Sequence, residues 1–179
     1  MKLFKVYFII FAIVITFIGI SRFFSPTYIV NESIIVNMPI DSTFAYLSNL
    51  KNWEEWSLWN KTLDSSLLLF YNEQFDTLGA RQYLTGNLIG KGFIEVTKYN
   101  PNKLLAYKVY VRDGEITANG MFSFSQTAPN QTEISWIDSG DVGNNPIKRY
   151  MIPIVTKGTA ETFRQGLARI KLNLEKPHQ

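Results

Sequence analysis

From Ser66 to Asp141 the sequence alternates with a period of two, and one phase of each alternating stretch is apolar. In Leu105–Arg112 that phase is Leu105, Tyr107, Val109 and Val111, set against Lys108, Tyr110 and Arg112. In Glu115–Ser125 it is Ile116, Ala118, Gly120, Phe122 and Phe124, set against Glu115, Thr117, Asn119, Met121, Ser123 and Ser125. In Glu133–Gly140 it is Ile134, Trp136 and, in the same phase, Asp138. Strands of this kind build a sheet with one wet face and one covered face. Turn signals stand at Asp76–Gly79, Gly86-Asn87, Asn100-Pro101-Asn102, Asp113-Gly114 and Ala128-Pro129-Asn130. They predict five or six strands in an antiparallel meander, with Asp113-Gly114 as a two-residue type I′ hairpin.

The apolar face needs a cover, and the stretch after Pro153 is the one long candidate. Phe163, Leu167, Ile170 and Leu174 recur at helical spacing on one face, with Arg164, Arg169, Lys171 and Glu175 largely off it. Gly158 and Gly166 each cost about 1 kcal/mol relative to alanine in a helix interior. A helix carrying them either approaches a neighbour closely or leaves room beneath it. Ahead of the meander, Thr27–Met38 reads as a strand. Pro39-Ile40-Asp41 opens a helix with Asp41 as N-cap. Lys51–Asn60 reads as a second short helix with Trp53, Trp56 and Trp59 on one stripe. The order predicts an α+β domain over residues 26–179, a curved antiparallel sheet wrapped around a long C-terminal helix.

Residues 6–21 run sixteen positions without a charge. Extended to residues 3–24, the segment spans roughly 33 Å as a helix, enough for a hydrocarbon core of about 30 Å if Lys5 and Arg22 reach the two interfaces. Tyr7, Phe23 and Phe24 lie near its ends, and Pro26 stops it. A cleaved signal peptide is the competing reading, with Gly19 and Ser21 as a small-x-small site. Residues 1–25 are read as an uncleaved transmembrane anchor, because the apolar run is long and bulky Phe23 and Phe24 follow it. Lys2 and Lys5 place the N-terminus on the cytoplasmic side and the domain on the non-cytoplasmic side of a cell membrane; Arg22 opposes that orientation.

Composition excludes several chemistries. There is no cysteine, and the one histidine is His178, beside the C-terminus. Thiol nucleophiles, disulfides, Cys-ligated metal and a histidine triad are therefore not expected, nor is a metal or cofactor. The net charge of +3 comes from the first 25 residues, which hold Lys2, Lys5 and Arg22 and no acid. The remainder is neutral, which argues against nucleic acid as a partner. Within it, residues 146–179 carry seven basic residues against Glu161 and Glu175. This is read as a solvated helix face, with contact to an anionic surface as the sharper alternative.

Four stretches carry a family resemblance: Ser33–Pro39 leading into Phe44-Ala45-Tyr46-Leu47; Leu50–Asn60; Gly86 to Gly92 before Ile94-Glu95-Val96; and Ile134-Ser135-Trp136 with Gly140-Asp141 and Asn145–Tyr150. Over residues 27–175 the chain resembles the SRPBCC superfamily of helix-grip domains, which includes START lipid-transfer domains and the polyketide cyclase/dehydratase-like group. The second and fourth stretches are similar to a membrane-anchored bacterial subgroup. The resemblance implies a deep, mostly apolar cavity between sheet and C-terminal helix. It implies no fixed chemistry, and no catalytic residue is carried over from it.

The inward phase supplies the candidate ligand-binding residues: Tyr107, Val109, Phe122, Phe124, Trp136, Phe163 and Leu167, with Trp56 from the tryptophan stripe and Tyr83 from a strand of unfixed register. Asp138 is the inward polar candidate, either a neutral acid in a cavity or a group at its rim. Arg81 meets an anionic headgroup or pairs with an acid. In Asn144-Asn145-Pro146, Pro146 fixes the entry to the last helical region and an Asn side chain caps it. The expected function is a membrane-anchored domain binding a hydrophobic small molecule or lipid. One alternative is a metal-free cyclase or dehydratase using Asp138 or a pocket tyrosine. Another is a protein-interaction module that uses the basic C-terminal helix.

Overall fold

The computed structural model describes residues 2–114 and 116–176. His178 and Glu115 lie outside the described residues. Helix α1 (Lys2–Ser21) is followed by β1 (Thr27–Val36), α2 (Ile40–Ser48) and a single 3-10 turn at Leu50–Asn52. Then come α3 (Trp53–Trp56), β2 (Leu68–Tyr71), β3 (Arg81–Gly86), β4 (Gly90–Asn100), β5 (Leu104–Val111), β6 (Ile116–Ala128), β7 (Gln131–Asp141) and α4 (Pro146–Leu174). The seven strands form one antiparallel sheet in the order β1-β7-β6-β5-β4-β3-β2. All five turn signals fall at the junctions between strands, three of them beginning on the last residue of a strand (Gly86, Asn100, Ala128). Register shifts in β4 at Val96/Lys98 and in β6 at Gln126/Ala128 mark bulges. Bulges bend strands and increase their local twist.

The alternation gives the faces directly. Leu105, Tyr107, Val109 and Val111 of β5 are buried, as are Phe122 and Phe124 of β6 and Ile134, Trp136 and Asp138 of β7. The C-terminal half of α4 lies across this face through Phe163, Leu167, Ile170 and Leu174. Polar ties reinforce it: Lys171 Nζ donates to Ile35 O (2.9 Å), Glu175 Oε1 accepts from Asn37 N–H (2.7 Å), and Arg164 pairs with Glu32 (2.9 Å). The Asn145 side chain accepts from Lys148 N–H at the helix start, with Pro146 in the first turn, as capping chemistry predicts.

The two helical glycines do different things. A Cβ on Gly166 would stand 2.6 Å from Cζ3 of Trp136, so the helix can approach the indole closely there only without a side chain. A Cβ on Gly158 would meet nothing within 4 Å; that stretch of helix stands over open space.

Several local expectations are corrected. Asp41 is not an N-cap: Pro39 occupies that position, with no side-chain cap, and Asp41 sits in the first turn, where its carboxylate accepts from Asn102. The strand from Thr27 ends at Val36, before Met38. The helix at Lys51–Asn60 reduces to Trp53–Trp56, because Ser57 turns extended (ψ 161°) and Trp59 falls in the following loop. The Asp113-Gly114 hairpin is not a two-residue turn, since Arg112, Asp113 and Gly114 all have positive φ (52°, 53° and 93°). α1 stops at Ser21, well before Pro26; Ser21 Oγ donates back to Ile18 O (2.6 Å) and the chain tightens through Arg22 and Phe23.

Candidate functional site

The aromatic residues of the covered face divide into a solid block and an open chamber. In the block, Trp136 stacks on Phe163 with centroids 4.0 Å apart and planes 6° from parallel. Trp56 meets Trp136 edge-on at 5.3 Å, and Phe122 lies 4.9 Å from Trp136. Trp53 packs edge-on against Tyr107 (4.9 Å) and donates its Nε1–H to Leu47 O (2.7 Å). Trp136 Nε1–H donates to the Tyr107 hydroxyl at 2.7 Å.

Beside this block, under the middle of α4, lies a cavity of about 450 Å³. Its floor is Ile94 of β4, Tyr107 and Val109 of β5, and Ala118 and Gly120 of β6. Trp136 and Asp138 of β7 close one side. Trp53, Trp56 and the loop Ser57–Trp59 form another, and Val155, Gly158, Thr159, Thr162 and Phe163 of α4 form the roof. The chamber exists because the inward phase of β6 carries the small residues Ala118 and Gly120 in its first half and because α4 carries Gly158 above them. Gly120 itself is filled from the side, since a Cβ there would collide with the Tyr107 ring.

Of the residues singled out by sequence, Trp56, Tyr107, Val109, Trp136, Asp138 and Phe163 line this cavity. Phe122, Phe124 and Leu167 do not; they are buried in the packed core, Phe124 edge-on against Phe44. Tyr83 points out of the opposite face of the sheet, 39% exposed, beside Phe93. Arg81 pairs with Glu95 (3.2 Å) and lies over the Phe93 ring. Trp53, Ser57–Trp59, Ile94, Ala118, Gly120 and, in the roof, Val155, Gly158, Thr159 and Thr162 are wall residues that the sequence reading does not name as ligand contacts. The signal for Ala118, Gly120 and Gly158 was present as small residues in inward or roofing positions.

Polar groups are few. Among the described residues, the buried side-chain polar atoms without a hydrogen-bond partner are Trp56 Nε1 and Asp138 Oδ1, and both residues line the cavity. Burial pushes the Asp138 carboxyl above the ordinary carboxylate range, partly offset by the Ser139 backbone N–H and the Tyr28 hydroxyl. Burial, and then the neighbouring Asp138, push Tyr28 upward as well. Desolvation of its charged form likewise drives Tyr107 far upward, so it remains a phenol.

The sign of the Asp138 shift sets a pH dependence. An acid whose folded pKa is raised favours the folded state fully below its unfolded value of about 4, and that contribution is lost as pH rises through the folded value. Asp138→Asn is therefore expected to raise the melting temperature at neutral pH and to lose its advantage below about pH 4. Thermal melts of the two proteins across that range check this; parallel curves would mean that Asp138 is already solvated.

A model of the family described as "Polyketide cyclase / dehydrase and lipid transport" matches residues 27–175. A comparison with curated proteins finds no match. Among solved structures, a Mesorhizobium loti protein superposes with TM-score 0.61 at 18% identity, over 85% of this chain and 100% of its own. A Thalictrum flavum norcoclaurine synthase mutant, in complex with a transition-state analogue, gives TM-score 0.60 at 11% identity, over 84% and 97%. The Aha1 protein of Colwellia psychrerythraea gives 0.57 at 16%, over 83% and 96%. At these identities the likeness is one of fold.

Proposed function

The chain belongs to the polyketide cyclase / dehydrase and lipid transport family, and from that premise we propose that it holds a hydrophobic small molecule or lipid between the sheet and α4 while α1 anchors it in a membrane. The observation that carries this is the cavity of about 450 Å³, apolar in most of its wall and left open beside a well-packed aromatic block. Pockets of this size and lining suit ligands with an apolar body and few polar groups. Asp138 Oδ1 and the Trp56 Nε1–H, buried without hydrogen-bond partners, supply polar groups in that wall.

α1 supports the membrane part. Phe4–Ser21 has a mean hydropathy of 2.3, and almost none of it is buried against the domain. With Lys2 and Lys5 on the cytoplasmic side, the domain sits on the non-cytoplasmic side. The direct test is mass spectrometry of the full chain purified in mild detergent. A reproducible co-purifying lipid or apolar metabolite is expected; repeated recovery of empty protein that takes up no apolar fluorescent probe would count against the reading.

A second reading has one observation in its favour. A carboxyl whose pKa is raised by burial in an apolar chamber is suited to general-acid work, and Asp138 would protonate a bound substrate in a cyclase or dehydratase reaction. The interaction-module reading loses one of its contacts: Arg149 is buried, donating to Gly143 O (2.8 Å) and the Asn144 side chain (3.2 Å), so it is not part of an exposed basic face.

A further inference from the structure

α4 is seated along only part of its length. From Pro146 to Ala160 the one buried residue is Arg149. Ile147, Met151 and Ile154 follow at spacings of four and three, so they share one face. Phe163, Leu167 and Leu174 turn a different face to the sheet; the Ile147 face is continued by Gly158 at the cavity edge, and Ile147 and Ile154 are 64% and 65% exposed. Lys148 and Lys157 flank it on its two sides, at about 100° per residue around the helix. No acidic residue occurs from 142 to 160. The result is an apolar ridge edged by lysines, a pattern that suits a helix lying in a membrane interface.

The ridge is continuous with α1. The Tyr150 ring stacks on Phe17 at 4.5 Å and packs against Phe24 at 5.0 Å, and its hydroxyl donates to Phe17 O at 2.8 Å. Arg22 Nη1 donates to the Asn144 side chain at 3.0 Å. Whatever apolar medium surrounds α1 must end near Ser21–Phe24, and these contacts hold the start of α4 at that level. Phe17, Phe24 and Tyr150 then form an aromatic cluster where interfacial aromatic residues belong.

We infer that the first three turns of α4, from Ile147 to Lys157, rest in the interface of an anionic bilayer, with Ile147, Met151 and Ile154 toward the acyl chains and Lys148 and Lys157 toward lipid phosphates. The inference rests on α1 spanning the membrane. It adds a fixed orientation: the domain is held down on the leaflet rather than swinging on a tether. Val155 belongs both to this segment and to the cavity wall.

The absence of cysteine from the sequence makes the test clean. Single cysteines at Phe11, Ile147, Met151, Ile154 and Asn130 in the full chain are labelled with an environment-sensitive fluorophore. The protein is reconstituted in vesicles of phosphatidylethanolamine and phosphatidylglycerol, some carrying nitroxide-labelled lipid. Phe11 reports the anchor. Asn130, in the turn at the far end of β7, is the aqueous control. The expected result is a blue shift and lipid quenching at Phe11 and at all three α4 positions, with neither at Asn130. Quenching at Phe11 but not on α4 would overturn the docked orientation and leave the anchor standing. A shifted but unquenched α4 signal would mark a protein partner on the ridge and overturn it equally. A water-like Phe11 would remove the anchor and this inference together.

Discussion

Replacing Trp136 with alanine is expected to lower folding stability by about 4 kcal/mol, near the upper end of large-to-small core substitutions. Three losses combine at this position. The parallel stack with Phe163 is the closest aromatic contact between the sheet and α4, and removing it unfastens the helix at its midpoint. Trp56 and Phe122 lose a neighbour each and border a new void. The Tyr107 hydroxyl loses the donor that meets it at 2.7 Å inside the core, and an unmet buried polar group costs about 1–3 kcal/mol. The measurement is urea unfolding of the full chain in detergent, read as a fall in midpoint at unchanged slope. A loss below about 1 kcal/mol would mean that the aromatic block relaxes into the void, and hence that the seating of α4 depends on Leu167, Ile170 and Leu174 instead.

The faces of the central strands were legible because side-chain alternation is a property of the extended backbone and needs no tertiary information. The alternation of Leu105–Val111 and Ile134–Asp138 marks the buried phase directly, and Phe163, Leu167, Ile170 and Leu174 mark the seated face of α4. β3 was not legible, for a specific reason. Its inward residues are Gln82 and Leu84, and a glutamine in the buried phase hides the alternation. Gln82 tolerates burial because its Nε2–H donates to the Tyr71 hydroxyl at 3.0 Å and approaches Leu50 O at 3.5 Å, partners that come from β2 and the 3-10 turn and cannot be seen locally. Tyr83 is displaced to the outer face as a consequence. The tryptophan stripe failed differently: three residues at helical spacing do not say where the helix ends, and the extended Ser57 ends it one tryptophan early.

The cavity lies one level beyond periodicity. Phe122 and Tyr107 occupy the same phase of neighbouring strands, yet one is core and the other is wall. The difference lies in what stands opposite. Over Phe122 stand Trp53 and Trp56, with Trp136 beside it on β7, whereas over Tyr107, Val109 and Ala118 the helix presents Val155, Gly158 and Thr159. Volume, not hydrophobicity, separates the two, and volume depends on which turn of α4 falls over which strand. Only the small residues announced it.

That same logic gives the sharpest test of the carrier reading. Ala118→Phe places a ring in the floor of the cavity, on β6 opposite Val109. Phenylalanine suits a strand better than alanine, and the new ring has open space to enter, so folding stability should change by less than about 1 kcal/mol. Ligand retention should not survive as well. A ring that excludes the guest from even one good apolar contact removes more than about 1.4 kcal/mol, which is tenfold in affinity. Thr117→Phe adds the same ring one residue away on the wet face, where Thr117 is exposed, and should leave binding unchanged. Titration of an apolar fluorescent probe into the two variants and the parent protein, with co-purifying lipid measured on the same samples, separates the outcomes. Weakened binding only in Ala118→Phe places the guest under α4. Equal binding in all three proteins would mean that the probe sits elsewhere, with the ridge of α4 and the exposed surface of α1 as the remaining apolar surfaces able to hold it.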